Sequence, residues 1–310
     1  MIVVGGDNLI DLIESARDDG TVSFVGARGG SGYNTARAVA RQNQAVGFIT
    51  PIAMDNLGHF LADKMISDGV NLLSPRSPKP SSLAVVTLTA GQANYQFYRD
   101  DTAERQVDLP LLQANFPAHG YAFHLTSLAI ISGADADAWV EFFVQKHTEG
   151  IVTTLDPNVR PILISDREVY LERLWRLMAN VDILKLSDED LEWIFLDLDF
   201  DAACTALLAK TKAKLTIVTK GADGAIGYCN SLKITMPAYP VSNLIDTVGA
   251  GDTFMGTVLS YLSSEGILSQ DALAGLNHAT LSQLLAQSAK AASINCSREG
   301  CNPPTVDELA

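Results

Sequence analysis

The stretch DTVGAGDTF, Asp246 to Phe254, runs small residues and two glycines directly into an amphipathic pattern. Gly249, Ala250 and Gly251 leave consecutive backbone N–H groups unshielded, and a helix starting there adds roughly half a positive charge at its N-terminus. That combination stabilises anionic oxygens. Asp252 stands at the helix start, where a carboxylate beside an anion site can take the proton of a hydroxyl that attacks a phosphoryl group. An aspartate after a glycine turn is also a common helix N-cap, so local physics leaves both uses open.

A second glycine-rich stretch, GGSGYN, covers Gly29 to Asn34. Close approach of backbone to a ligand needs residues without side chains, and the Asn34 amide can both donate to and accept from a polyol. A plain tight turn accounts for the same glycines. The spacing is not GxGxxG, and Gly5–Gly6 after the first apolar run lacks it too, which argues against a dinucleotide-binding dehydrogenase.

The elements that must position these motifs read as alternating strands and helices. Short apolar or β-branched runs at Ile2 to Val4, Val46 to Ile49, Tyr121 to Leu125, Ile151 to Leu155, Val181 to Leu184 and Leu215 to Thr219 alternate with helical patterns. This predicts a parallel sheet covered by helices. Residues 83–98 (LAVVTLTAGQANYQFY) read instead as a hairpin outside that core. With residues 12–28, where DDG signals a turn before TVSFV, the hairpin is expected to form a small sheet over one edge, either a lid or an ordinary edge extension. From Asn34 onward NTARAVARQ is helical, with Asn34 suited to the N-cap. Beyond Asp252, Phe254, Val258, Leu259 and Leu262 share one helix face.

With 310 residues and 47% hydrophobic content, the chain can bury a large core. The net charge of -14 and a pI near 4.7 set up a field that repels polyanions, so nucleic acid and anionic membranes are not expected partners. A phosphorylated ligand would need a locally positive pocket. The N-terminus has no basic lead-in and no apolar run spans a bilayer, which predicts a cytoplasmic protein. Cys204, Cys229, Cys296 and Cys301 show neither zinc spacing nor a disulfide framework.

GGSGYNTARAVARQ resembles the N-terminal signature of the ribokinase (phosphofructokinase B) family, and DTVGAGDTF resembles its C-terminal signature, in the same order and at a similar separation. Between and beyond them, FYRDDTAERQ (97–106), HLTSLAI (124–130), DPNVRP (156–161), KLSDEDL (185–191), TKGADGA (219–225) and CSREGCNPPT (296–305) resemble the fructokinase branch. The resemblance covers essentially the whole chain. It implies a single ribokinase-like domain over 1–310, an α/β doubly wound, mostly parallel sheet with a β-sheet lid from about 12–28 and 83–106. It also implies ATP and Mg²⁺ as cofactors, a sugar held under the lid, and Asp252 as base beside an anion hole at Gly249, Ala250 and Gly251.

By position, the resemblance places Asp11, Gly30, Asn34 and Arg99 at the sugar. It places Thr219 and Gly221 near the phosphates and the helix beginning at Asn277 beside the adenine. Arg160 and Lys185, basic residues in Asp-rich motifs, are candidates to neutralise phosphate charge, with a structural ion pair equally open. Asp246 and the loop Ser297 to Gly300 match the region where many members hold a monovalent cation such as K⁺. Lid sheets in this family often pair two subunits, so a homodimer through the lid is a further expectation.

Two departures stand out. Many members carry NxxE near the metal, whereas this chain has Ser187 and Asp190 at that spacing, leaving the metal-linked carboxylate open between Glu189 and Asp190. The glycine loop ends in SGYN, where a Pro often precedes the aromatic position. The expected reaction is transfer of the ATP γ-phosphoryl group to a primary hydroxyl, O6 of D-fructose first. The alternatives are 2-keto-3-deoxygluconate, another sugar or a nucleoside as acceptor, or a regulator that kept the fold and lost catalysis.

Overall fold

The computed structural model describes every residue except 17–20, 90–91 and 242. The main sheet is built from β1 (Ile2–Gly5), β4 (Val46–Phe48), β5 (Asn71–Leu72), β8 (Ala122–Thr126), β9 (Val152–Asp156), β10 (Ile183–Ser187), β11 (Leu215–Thr219), β12 (Ala225–Cys229) and β13 (Leu232–Met236). Their order is β13-β12-β11-β10-β9-β8-β1-β4-β5. From β5 to β11 all neighbours run parallel, and β12 and β13 add an antiparallel edge.

Helices cover both faces, which is why the central strands are apolar without alternation. Successive residues still divide between two cores, because side chains on a strand point to opposite faces. Ile2 and Val4 pack with Phe254, Val258, Leu262 and Leu285 on one side, under helices Ser31–Arg41, Ala250–Ser264 and His278–Cys296. Val3 packs on the other side with Phe123, Trp139, Phe142 and Tyr170, under helices Ala134–Thr148 and Arg167–Met178.

A second sheet joins β2 (Leu9–Ala16), β3 (Val22–Gly29), β6 (Ser82–Thr89) and β7 (Gln92–Tyr98) in the order β3-β2-β6-β7. The expected hairpin is β6–β7, antiparallel from Leu83↔Tyr98 to Thr89↔Gln92. The DDG turn signal and the Gly-containing turn expected between the two hairpin strands fall outside the described residues. Register aligns Ala27, Asp11, Ala84 and Phe97 in one row across this sheet, and Val25, Ile13, Val86 and Tyr95 in the next row on the same face. Asp11 is the single carboxylate in the two rows.

Several strand ends shift by a residue from the sequence reading, and two further boundary differences are larger. β10 begins at Ile183 rather than Val181 and continues through Ser187; just before it, the Asp182 carboxylate accepts from Thr153 N and Lys214 Nζ. The helix expected from Asn34 starts at Ser31 with Gly30 as N-cap. Gly30 has φ +107, and a Cβ there would lie 2.5 Å from the Asp7 carbonyl oxygen, so only glycine makes this turn without strain. Asn34 is thereby inside the helix, free to point its amide elsewhere.

Among the described residues, no helix is long and apolar enough to cross a membrane.

Candidate active site

The C-terminal ends of β1, β8, β9, β10 and β11 lie side by side, and in open α/β sheets ligands bind at that edge. Gly6 and Asp7 leave β1 there, Thr126 ends β8, Asp156 ends β9, and Ser187 pairs with Thr219 at the ends of β10 and β11. Helices Ser31–Arg41 and Ala250–Ser264 both begin at this edge and pack against each other, Gly256 replacing a side chain that would lie 2.5 Å from the Ala38 Cβ.

This packing brings the two glycine motifs together. Asp252 is not an N-cap. Gly249 holds that position with φ +72, and Asp252 sits in the first turn, 7% exposed. Its Oδ1 accepts from Ser31 Oγ at 2.6 Å and its Oδ2 from Asn34 Nδ2 at 2.8 Å. Burial raises the Asp252 pKa, while the hydrogen bonds from Ser31 and Asn34 and the charges of Lys185 and Arg160 work in the opposite direction. Asn34 Oδ1 is buried and has no partner among the described residues, leaving an acceptor beside the carboxylate.

The anion site has the donors expected of it. Ala250 N bonds back to Thr247 O and Thr253 N to Gly249 O, whereas no hydrogen bond within the described residues occupies the amides of Gly251 and Asp252. Free first-turn donors at a helix N-terminus fit an anionic group such as a phosphate. Lys185 lies directly behind them: a Cβ on Gly251 would be 3.0 Å from Lys185 Nζ. The same ammonium pairs with Asp156 at 2.9 Å, with both side chains almost wholly buried. Burial alone would lower the Lys185 pKa, but Asp156 and Asp190 outweigh it and keep the lysine charged. The ion pair and the phosphate-facing position therefore coexist.

Asp11 projects from the small sheet. Its carboxylate makes no hydrogen bond among the described residues, and burial raises its pKa to about 6 against the pull of Arg160. Arg160 acts electrostatically on both Asp11 and Asp252, and its exposed guanidinium donates to the Asn158 and Val159 carbonyls through Nη1. A Cβ on Gly29 would meet Asp11 Oδ2 at 2.1 Å, so this glycine is what lets the carboxylate lie flat on β3.

Arg99 has two of its donors already committed, Nε to Glu104 at 2.6 Å and Nη2 to the Leu128 carbonyl, and acts electrostatically on Asp7. Thr219 donates to the Leu186 carbonyl, and Gly221 at φ +50 faces open space. Asp246 accepts from Val248 N and Gly300 N, tying the loop before the anion site to the loop after helix His278–Cys296. Asp190 spends both oxygens on the amides of Val159 and Ser187, whereas Glu189 is exposed. Among the described residues no group of three or more His, Cys, Asp or Glu is placed to hold a metal. Mg²⁺ typically rides on substrate phosphates with one or two carboxylates and water, and isolated acids at this edge suit that mode.

Asn277, expected beside the adenine, lies at the end of its helix away from Asp246. Asn277 caps helix His278–Cys296, accepting from Thr280 N, and the end of this helix that meets Asp246 is Cys296. Nineteen residues at about 1.5 Å each put Asn277 roughly 28 Å from that end. Conversely, the sequence reading passed over Ser31, Thr126, Asp7 and Asp156. Ser31 lay inside a motif read for its glycines and Asn34. Asp7 is 4% exposed, accepts from Ser31 N through Oδ2, and leaves Oδ1 buried with no partner among the described residues.

The profile of the pfkB family carbohydrate kinases fits residues 1–308. The chain belongs to this family. A fructokinase of Rhizobium leguminosarum bv. trifolii is 36% identical over 286 residues, covering 91% of this chain and 85% of that protein. Fructokinase-2 of Solanum lycopersicum is 27% identical over 316 residues, covering 99% and 94%. Among solved structures, the fructokinase of Xylella fastidiosa with bound ATP superposes with TM-score 0.90 at 26% identity, over 99% of this chain and 96% of that one. As a pfkB family member the chain is a carbohydrate kinase with the ribokinase-like fold that the two motifs imply.

Proposed function

We propose that this pfkB family kinase transfers the γ-phosphoryl group of ATP to a primary hydroxyl of fructose, giving fructose 6-phosphate, in the cytoplasm. The observation that carries the reading is the Asn34–Asp252 bond that joins the two glycine motifs, with the free amides of Gly251 and Asp252 beside it and Asp11 Oδ2 lying against Gly29 at the start of the same loop. Asp252 takes the proton of the attacking hydroxyl. Asn34 Oδ1 and the Asp11 carboxylate accept from other sugar hydroxyls, Gly30 lets the sugar approach the backbone, and Arg99 fixes the floor through Glu104. Holding the reactants in line contributes more than proton transfer, about 7–11 kcal/mol against roughly 10²–10⁴-fold in rate.

The Gly249–Gly251 turn, Lys185 and Arg160 receive the charge of the phosphoryl group, with Thr219 and Gly221 along the nucleotide. ATP supplies the transferred group when bound, and Mg²⁺ is assigned to its phosphates with Glu189 or Asp190 at the edge. The loop fastened by Asp246 is assigned to a monovalent cation. The small sheet is assigned as a lid, within one domain spanning the chain. Its exposed apolar Ile13, Val25 and Tyr95 support pairing with a second copy, which sedimentation velocity tests.

Fructose is favoured over other acceptors by the relatives that bear the name fructokinase. The test is ADP release from ATP and Mg²⁺ against fructose, ribose, glucose, tagatose, 2-keto-3-deoxygluconate and adenosine, with and without K⁺. The highest kcat/KM is expected with fructose. A higher value for another acceptor overturns the substrate, and silence with all of them overturns the kinase reading.

A further inference from the structure

Ser31 is the first residue of its helix and 6% exposed, and its two polar groups reach two different carboxylates. Its amide donates to Asp7 Oδ2 at 3.1 Å, and its hydroxyl donates to Asp252 Oδ1 at 2.6 Å. The same hydroxyl lies 2.8 Å from Thr126 Oγ1. A serine has one hydroxyl proton and an ionised carboxylate only accepts. The directions are therefore set: Thr126 donates to Ser31, and Ser31 donates to Asp252. The chain of bonds ends inside the protein, since Thr126 is fully buried, so it orients a group and moves no proton to solvent.

We propose that Ser31 is a positioning residue for the transfer reaction, holding the Asp252 carboxylate ionised and aimed at the acceptor hydroxyl. This rests on the assignment of Asp252 as base. Asn34 restrains the other oxygen, but a carboxylate held at one oxygen alone can swing about its Cβ–Cγ bond. With Ser31 in place both oxygens are pinned, and the remaining lone pairs face the acceptor. A donor to the charged form also favours that form. The other charged or titratable groups acting with Asp252 are Lys185 on β10, Arg160 after β9, Asp156 at the end of β9 and Cys301 before the C-terminal helix. Asp7 and Asp11, which burial raises to about 7 and about 6, titrate in the same range; the Ser31 amide that holds Asp7 survives Ser31→Ala, so the Asp252 midpoint read by NMR reports the lost hydroxyl.

The experiment compares the full-length wild type with Ser31→Ala and Ser31→Thr. It measures kcat and KM for fructose from pH 5 to 9, and titrates the Asp252 carboxyl by ¹³C NMR in the absence of substrates. In Ser31→Ala the acidic limb of kcat and the NMR midpoint are expected to rise together by about one pH unit. The plateau kcat is expected to fall about ten-fold, with fructose KM little changed, and Ser31→Thr is expected to restore both. A Ser31→Ala limb and midpoint that coincide with wild type overturn the proposal, even where the rate falls. If Ser31→Ala does not fold, Ser31→Cys, whose thiol is a weak donor of similar size, is judged by the same midpoint. A raised midpoint in a protein that phosphorylates no sugar would keep the Ser31 bond and discard the kinase reading.

Discussion

Asn34 donates its Nδ2 proton to Asp252 Oδ2 at 2.8 Å although the two residues are 218 positions apart. This one bond joins the two glycine motifs into a single site. It also divides the Asn34 amide between two duties, holding the carboxylate through nitrogen and offering a buried, unpartnered oxygen to the sugar. Asn34→Leu removes both while roughly keeping shape. It is expected to lower kcat and raise fructose KM, each by about ten-fold, in steady-state assays. An effect on KM alone would mean that the bond to Asp252 is idle.

Asp11 is the cleanest candidate for pure sugar recognition, because its carboxylate makes no hydrogen bond within the described residues. Hydrogen bonds to charged groups are worth roughly 1.5–3 kcal/mol. Asp11→Ala is therefore expected to raise fructose KM by about 10- to 100-fold while kcat changes less and ATP KM is unmoved. An unchanged fructose KM would place the sugar elsewhere.

Gly249→Ala should injure both stability and rate. The residue sits at φ +72, and an added Cβ would lie 2.3 Å from Cys301 Sγ. A left-handed conformation costs an L-residue about 1–2 kcal/mol before any clash. The expected result is a lower Tm by calorimetry and a fall in kcat of at least ten-fold, since the turn aims the anion-binding amides.

Much of this could be read before any coordinates. Val3, Phe123 and Leu155 lie in strands buried on both faces, so their runs are apolar without alternation, and the hairpin of β6 and β7 broke that pattern visibly. The glycine motifs were legible because their chemistry is local. What was hidden is tertiary. Asn34 is a good N-cap residue by type, yet Gly30 opens the helix and Asn34 turns to a partner far along the chain. Asn277 caps a helix whose other end meets the site, and only helix length separates those two positions. Ser31 and Asp7 carry no local signal, because their roles exist only once the two helices converge.

Asp7 gives a pH dependence with a definite sign. Burial first, then the charge of Glu104, raises its pKa to about 7, whereas an unfolded aspartate titrates near 3.9. Between those values the folded state holds more protons, so this group's stabilising contribution is fully present below about pH 4 and is lost as pH rises towards 7. Asp7→Asn is expected to flatten the decline of Tm across that window and to be more stable than wild type at pH 8. A Tm profile parallel to wild type would show that Asp7 does not titrate in the window.

The account turns most directly on Asp252→Asn, a change that keeps shape and removes the base. Turnover of fructose with ATP and Mg²⁺, followed beside calorimetric binding of both ligands, is expected to fall by at least 10²-fold while fructose and ATP still bind. Near-normal turnover by Asp252→Asn would contradict the assignment of the base, and with it the mechanism built on the meeting of the two glycine motifs.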